Sequence, residues 1–160
     1  MKVGLLLQEL HRDENDLAHE LLRVCERHRS DHEVHHVGRD LARWSQEHVR
    51  ILAALGERFD VTLDHDPVDD LTGAERLREK AGELLGRRPE SGLLLLRDLR
   101  EVYLKASGVS VDWEMLGQAA QALKDNALLK TVRRCHPDAL RQMRWANGKL
   151  KESSPQILLS

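Results

Sequence analysis

"HEVHHVGRDLARWSQEHVRIL", residues 32–52, decides the fold class. Its apolar positions Val34, Val37, Leu41, Trp44 and Ile51 fall three and four residues apart, with His48 completing the series, which is the period of a helix that buries one face. The stripe continues to Leu55, so a helix is expected over about 32–58. Immediately upstream, "RHRSDHE" is a polar break in which Ser30 or Asp31 suits an N-cap and Glu33 stands where a capping box would place it. Before that break Val3, Leu7, Leu10, Leu17, Leu21 and Val24 predict another helix over about 2–28. Two long helices joined by so short a connection are antiparallel neighbours.

Downstream, "DVTLDHDPVDDLTG" (residues 60–73) interrupts the pattern, and Asp70 or Thr72 is placed to cap a short helix over about 72–86. "GRRPESG" breaks the chain again before a helix over about 90–107 with Leu95, Leu99, Val102 and Ala106 on one side. The Gly of "GVSVDWE" predicts a turn and Ser110 a cap, opening a helix over about 111–135 that carries Trp113, Leu116, Ala120, Leu123 and Ala127. His136-Pro137 ends or kinks it, because proline lacks the backbone donor and restricts the residue before it. A last helix is expected over about 138–152, with Leu140, Met143 and Leu150. Residues 1–160 thus read as a single all-α domain. Two antiparallel helical hairpins form a four-helix bundle, with a short crossover helix and an extra C-terminal helix. The roughly 30-residue link between the hairpins is long enough to let the second and third long helices run parallel.

Composition agrees with that class: 41% hydrophobic but only 3% aromatic residues, and few prolines, a helical profile that argues against a sandwich or barrel. With 25 Lys+Arg against 27 Asp+Glu, no global field draws the chain to nucleic acid or an anionic membrane. The N-terminal "MKVGLLLQELHRDEND" has an apolar run too short for a signal h-region or a span, so a cytoplasmic chain without a membrane partner is expected. Cys25 and Cys135 stand far apart with no Cys-x-x-Cys spacing and read as reduced thiols packed like small hydrophobes. There is no internal repeat.

The histidines of the opening stretch divide into two groups. At about 1.5 Å per helical residue, His35 and His48 lie roughly 20 Å apart and cannot share an ion. His32, His35 and His36, with His28, cluster at the hairpin end, where they read first as a solvated polar loop and otherwise as a second candidate zinc or nickel site or a group that charges near neutral pH. His48 stands alone on the core stripe. The first helix has a matching interruption: Glu14 lies among Leu7, Leu10, Leu17 and Leu21. If the hairpin turns near residue 30 or 31, positions summing to about 62 face one another, and Glu14 meets His48. A buried carboxylate costs several kcal/mol unless paired, so the two polar residues form either a hydrogen-bonded pair that fixes register or part of a metal site. In the second case Glu14 and His48 would be joined by His11, Glu47, and Asp98 or Glu101 from the third helix, a donor set that suits iron, manganese or zinc.

In this arrangement the chain resembles the ferritin-like four-helix bundles and, more distantly, the hemerythrin-like ones. The resemblance rests on Glu14, on the adjacent Glu47-His48, on Glu33-Val34-His35-His36, on Asp16-Leu17-Ala18-His19 and on Asp98-Leu99-Arg100-Glu101. What it implies is a metal-binding bundle core, in which ferritin-like proteins place one Glu on each of two helices and a Glu-x-x-His on each of the others. The expected helix over 111–135 carries no Glu-x-x-His. The competing expectation is a non-enzymatic structural or protein-interaction module with a buried Glu–His pair. A homo-oligomer is a candidate assembly in either case.

One local basic region, residues 130–151, includes Arg133, Arg134, Arg141 and Arg144. It reads first as the charged outer face of a core-packing helix, since no nucleic-acid recognition motif accompanies it. Cys135-His136 does not form a nucleophile and base pair by sequence adjacency alone, because neighbouring residues on a helix point about 100° apart.

Overall fold

The apolar stripe of residues 34–55 forms one helix, whose buried face runs through Val34, Leu41, His48, Leu52 and Leu55 with Val37, Trp44 and Ile51 partly buried at its edge. The computed structural model describes residues 1–85 and 91–160, with side chains described outside 83–90. Among the described residues the chain is all α. Its elements are α1 (Val3–Arg27), α2 (His32–Gly56), a 3-10 turn (Glu57–Phe59), α3 (Gly73–Leu85), α4 (Ser91–Ala122) and α5 (Asn126–Leu158). No helix among them is long and apolar enough to cross a membrane.

Local chemistry sets the ends of these helices. Asp31 caps α2, its side chain accepting from the Val34 N–H at 3.1 Å. Thr72 and Glu75 form a capping box at the start of α3: Glu75 N–H donates to Thr72 Oγ1 at 3.3 Å, and Thr72 N–H to Glu75 Oε2 at 2.7 Å. Where α1 and α2 approach, Gly38 faces Cys25, and a Cβ there would lie 2.4 Å from the Cys25 sulfur. Only glycine permits that closeness.

Cross-helix bonds fix the direction of each helix. Trp113 bonds to Glu14 and Arg27 to Asp98, so α4 runs antiparallel to α1. Likewise His48 meets Asp138, Ser45 meets Gln142 and Glu33 meets Lys149, so α5 runs antiparallel to α2. It follows that α2 and α4 run in the same direction, and the chain between them must return along the bundle. It does so beside α1. Asp64, Val68, Glu75 and Glu79 bond in turn to His11, Asn15, His19 and Arg23. The core between the four long helices contains Leu7, Leu10, Leu17, Leu21, Leu52, Val102, Trp113, Leu116 and Leu128, all fully buried. Each such leucine stabilises the fold by about 1.5–3 kcal/mol relative to exposure.

The second hairpin differs from the sequence reading. The turn expected near Gly108 and Ser110 is absent, and α4 continues through both. Gly108 costs about 1 kcal/mol in a helix, and burial of Val109 and Trp113 on the same turns outweighs it. The real turn falls at residues 123–125, inside the helix expected over 111–135. Lys124 takes the left-handed conformation, φ 54°, so that its N–H reaches the Gln121 carbonyl at 3.1 Å and that of Asp125 the Ala120 carbonyl at 3.0 Å. Asp125 then caps α5 by accepting from Leu128 N–H at 2.9 Å. A lysine holds the position where glycine is usual, so the turn has no glycine to announce it.

The separate C-terminal helix over 138–152 is also corrected, because α5 runs unbroken through Pro137 and Pro155. A proline in a helix interior costs about 3 kcal/mol. The buried Cys135, Ala139, Gln142 and Ala146 on either side of Pro137 supply packing that holds the helix together. Of the break expected at "GRRPESG", residues 86–90 lie outside the described residues, as do the expected ends of helices at 86 and 90.

Candidate functional site

Glu14 and His48 meet in the middle of the bundle, both essentially excluded from solvent. His48 Nδ1 lies 2.7 Å from Glu14 Oε1, and its Nε2 lies 3.1 Å from Asp138 Oδ2. The indole of Trp113 adds a third element, donating from Nε1 to the same Glu14 oxygen at 2.8 Å. Its ring stands edge-on to the imidazole, with centroids 5.7 Å apart. Four helices therefore each contribute one side chain: α1 Glu14, α2 His48, α4 Trp113 and α5 Asp138. A little further along, Gln142 Nε2 donates to the Leu41 carbonyl and to Ser45 Oγ, each at 2.9 Å, tying α5 to α2 a second time.

Electrostatics favour the charged form of the imidazole. Burial alone would lower its pKa, but the Glu14 charge and the hydrogen bonds to Asp138 and Glu14 outweigh burial and raise it to about 9. The Asp138 carboxyl is held below its usual range, chiefly by its bond to His48. At neutral pH the group is an imidazolium donating to two carboxylates. Beside it, burial pushes the Cys135 thiol up to about 12, with the Glu14 charge adding to the effect. Such a thiol is not a nucleophile at neutral pH. Cys25 is likewise buried and raised to about 12 by burial. Both cysteines are free thiols.

The other residues expected around Glu14 and His48 lie elsewhere. His11 donates from Nε2 to the Asp64 carbonyl at 2.8 Å, pinning the return segment. Glu47 points outward, toward Arg134 at 3.5 Å and Arg50 at 3.8 Å. Asp98 is buried at the far end of the bundle, where it accepts from Arg27 at 2.8 Å and from His28 at 2.6 Å. Glu101 is partly exposed beside Arg100. A ligating imidazole must be neutral and offer a lone pair, yet both nitrogens of His48 face carboxylates at hydrogen-bond distance. The donor set fits an imidazolium better than a metal ligand. Among the described residues no three His, Cys, Asp or Glu side chains are placed to hold one ion together.

The basic region is divided by the fold. Lys149 is buried against Glu33 at 2.9 Å and Asp31 at 3.5 Å, Arg141 is paired with Asp138, and Arg134 faces Glu47. Arg133 and Arg144 are exposed on α5. His136 shares a 2.9 Å hydrogen bond with Ser110 and not with its neighbour Cys135.

At the hairpin end, His32 and His36 are exposed and one helical turn apart, their rings nearly parallel at 7° with centroids 6.3 Å apart. His35 packs edge-on to His36 at 5.1 Å and donates from Nδ1 to the Cys25 carbonyl at 3.1 Å.

Sequence reasoning missed two members of the central network. Trp113 reads as plain core, and its donor needs an acceptor that only Glu14 supplies. Asp138 follows Pro137 and reads as the polar start of a new helix. Counting the hairpin histidines as a cluster also passes over their spacing, since His32-Glu33-Val34-His35-His36 is a His-Glu-x-x-His sequence. No protein-family model matches the chain, and neither the curated proteins nor the solved structures give a significant match.

Proposed function

We propose that the chain is a non-enzymatic helical module, structural or protein-interacting, in which the Glu14–His48–Asp138 group is an internal register lock. One observation carries this reading: both nitrogens of His48 are engaged by carboxylates, which leaves the imidazole neither a base nor a ligand. A buried polar group of this kind discriminates against helix slippage, because any other register leaves a charge unpaired in the core. An outward-facing apolar row on α4, with Leu104, Val111 and Met115 about half exposed, is a surface consistent with a partner-binding role.

The ferritin-like, metal-bearing reading retains one specific observation. Glu14 Oε2 is buried without a hydrogen-bond partner among the described residues, and an iron, manganese or zinc ion in the core would satisfy it. One experiment separates the two readings. In the variant Glu14→Leu/His48→Met/Trp113→Phe every polar atom those three residues share is removed together, so the module reading expects a cooperatively melting helical protein of unchanged or higher stability. Trp113 has to be included, since its indole would otherwise lose its acceptor. Stoichiometric iron, manganese or zinc retained by the parent chain after reconstitution and lost in this variant would overturn the module reading.

A further inference from the structure

We infer that His32 and His36, at the start of α2, form a two-imidazole clamp for a borderline divalent metal ion of the Zn2+, Ni2+ or Cu2+ class. It is separate from the buried network.

Helical geometry supplies the first part of the argument. Residues four apart project from the same face one turn apart, and the two rings stand almost parallel with centroids 6.3 Å apart. Both are exposed, so modest side-chain rotation brings one nitrogen of each to the roughly 2.0–2.1 Å that a zinc–imidazole bond requires. This His-Glu-x-x-His spacing is the one by which a single helix presents two imidazoles to one ion. Imidazole donors select zinc, copper and nickel over magnesium or calcium.

The surroundings define what the clamp does. Glu33, which would be the general base in a zinc hydrolase of this spacing, is instead held by Lys149 Nζ at 2.9 Å. Lys149 is a buried residue whose ammonium also faces Asp31 and Glu152, so Glu33 is engaged in tying α2 to α5. His35, the next imidazole, donates its Nδ1–H to the Cys25 carbonyl, which holds its ring against the hairpin. One turn further, Asp40 is exposed on the same face but paired with Arg43 at 2.5 Å. The ion would therefore have two protein ligands with water completing its shell. The clamp is a binding site and not a hydrolytic centre.

The test uses the full chain without a histidine tag, titrated with Zn2+, Ni2+ and Cu2+ by calorimetry. Saturable one-to-one binding is expected, with Cu2+ tighter than Ni2+ by the general order of divalent affinities. His32→Ala and His36→Ala should each weaken binding at least about tenfold, a step of about 1.4 kcal/mol, with circular dichroism unchanged because both side chains are on the surface. His35→Ala and His65→Ala should change it less than about threefold. Uptake that survives in the His32→Ala/His36→Ala double variant, or that is lost equally in His65→Ala, would overturn the assignment. Dependence on His48 instead would move the ion to the bundle core and overturn the register-lock reading as well, so the two proposals fail in distinguishable ways.

Discussion

The bundle holds two charged clusters that differ in redundancy. At mid-height Glu14 has His48 as its one charged partner among the described residues, while Asp138 shares that imidazole and pairs also with Arg141. At the far end each of two carboxylates has two partners: Arg27 bonds to both Glu79 and Asp98, Arg23 lies 3.4 Å from Glu79, and His28 lies 2.6 Å from Asp98. Cutting one bond leaves Glu14 without a charged partner, whereas Glu79 and Asp98 each keep a partner. The energetic lesson concerns redundancy more than burial, since Glu79 and Asp98 are themselves buried. What matters is whether a carboxylate keeps a partner when one bond is cut.

The largest expected effect therefore comes from the mid-height cluster. His48→Ala should destabilise the fold by about 3–5 kcal/mol, the cost of leaving a buried charge without its partner. Chemical denaturation would measure this. A loss below about 1 kcal/mol, the range of an exposed pair, would mean that water reaches Glu14 and that the layer is not dry.

Titration tests the same cluster without mutation. The imidazole pKa is about 9 in the folded chain against an ordinary value of 6.5. Its contribution is then fully present below about pH 6.5 and is lost as pH rises through about 9, a total of about 3 kcal/mol. Measurements should stop near pH 9, because the unfolded chain's thiols ionise above it, whereas Cys25 and Cys135 are held to about 12 in the fold. Stability that stays flat between pH 6.5 and 9 in the parent chain, or that falls equally in His48→Ala, would remove His48 from the account.

How far the sequence discloses these clusters follows from chain separation. Glu14 and His48 are the polar interruptions of two stripes joined by a tight turn, and a symmetric hairpin brings their positions together by arithmetic. The all-α class is equally legible, because periodicity is a local property. Asp138 and Trp113 come from the other hairpin, 90 and 99 residues from their partners, and their register depends on the turn between α4 and α5. That turn is hidden. Lys124 takes the left-handed position with no glycine to signal it, while Gly108 and Pro137 signal breaks that burial overrides. Misplacing the turn moves Trp113 from mid-helix to a helix start and detaches Asp138 from the helix that carries it into the core. Asp98 shows the converse error. Its position on the third long helix is read correctly, but its height in the bundle is not, because the antiparallel pairing of α1 with α4 sets it opposite Arg27 and not Glu14.

The smallest expected effect belongs to the far-end cluster. Arg27→Ala removes the residue that bridges Glu79 and Asp98, yet each carboxylate keeps a hydrogen-bonding partner, Arg23 for one and His28 for the other. The loss should be about 1–2 kcal/mol, between that of an exposed pair and that of a buried charge left alone. Redundancy makes a sharper claim than this single number. His28→Ala alone should also cost little, because Arg27 still holds Asp98, but Arg27→Ala/His28→Ala strips Asp98 of both partners. The double variant should therefore lose more than the sum of the single losses by at least about 1 kcal/mol, a coupling within the range of residues that share one ion-pair network. Strict additivity would show that water, and not His28, replaces Arg27 at Asp98, and the contrast between the two clusters would then be one of burial after all.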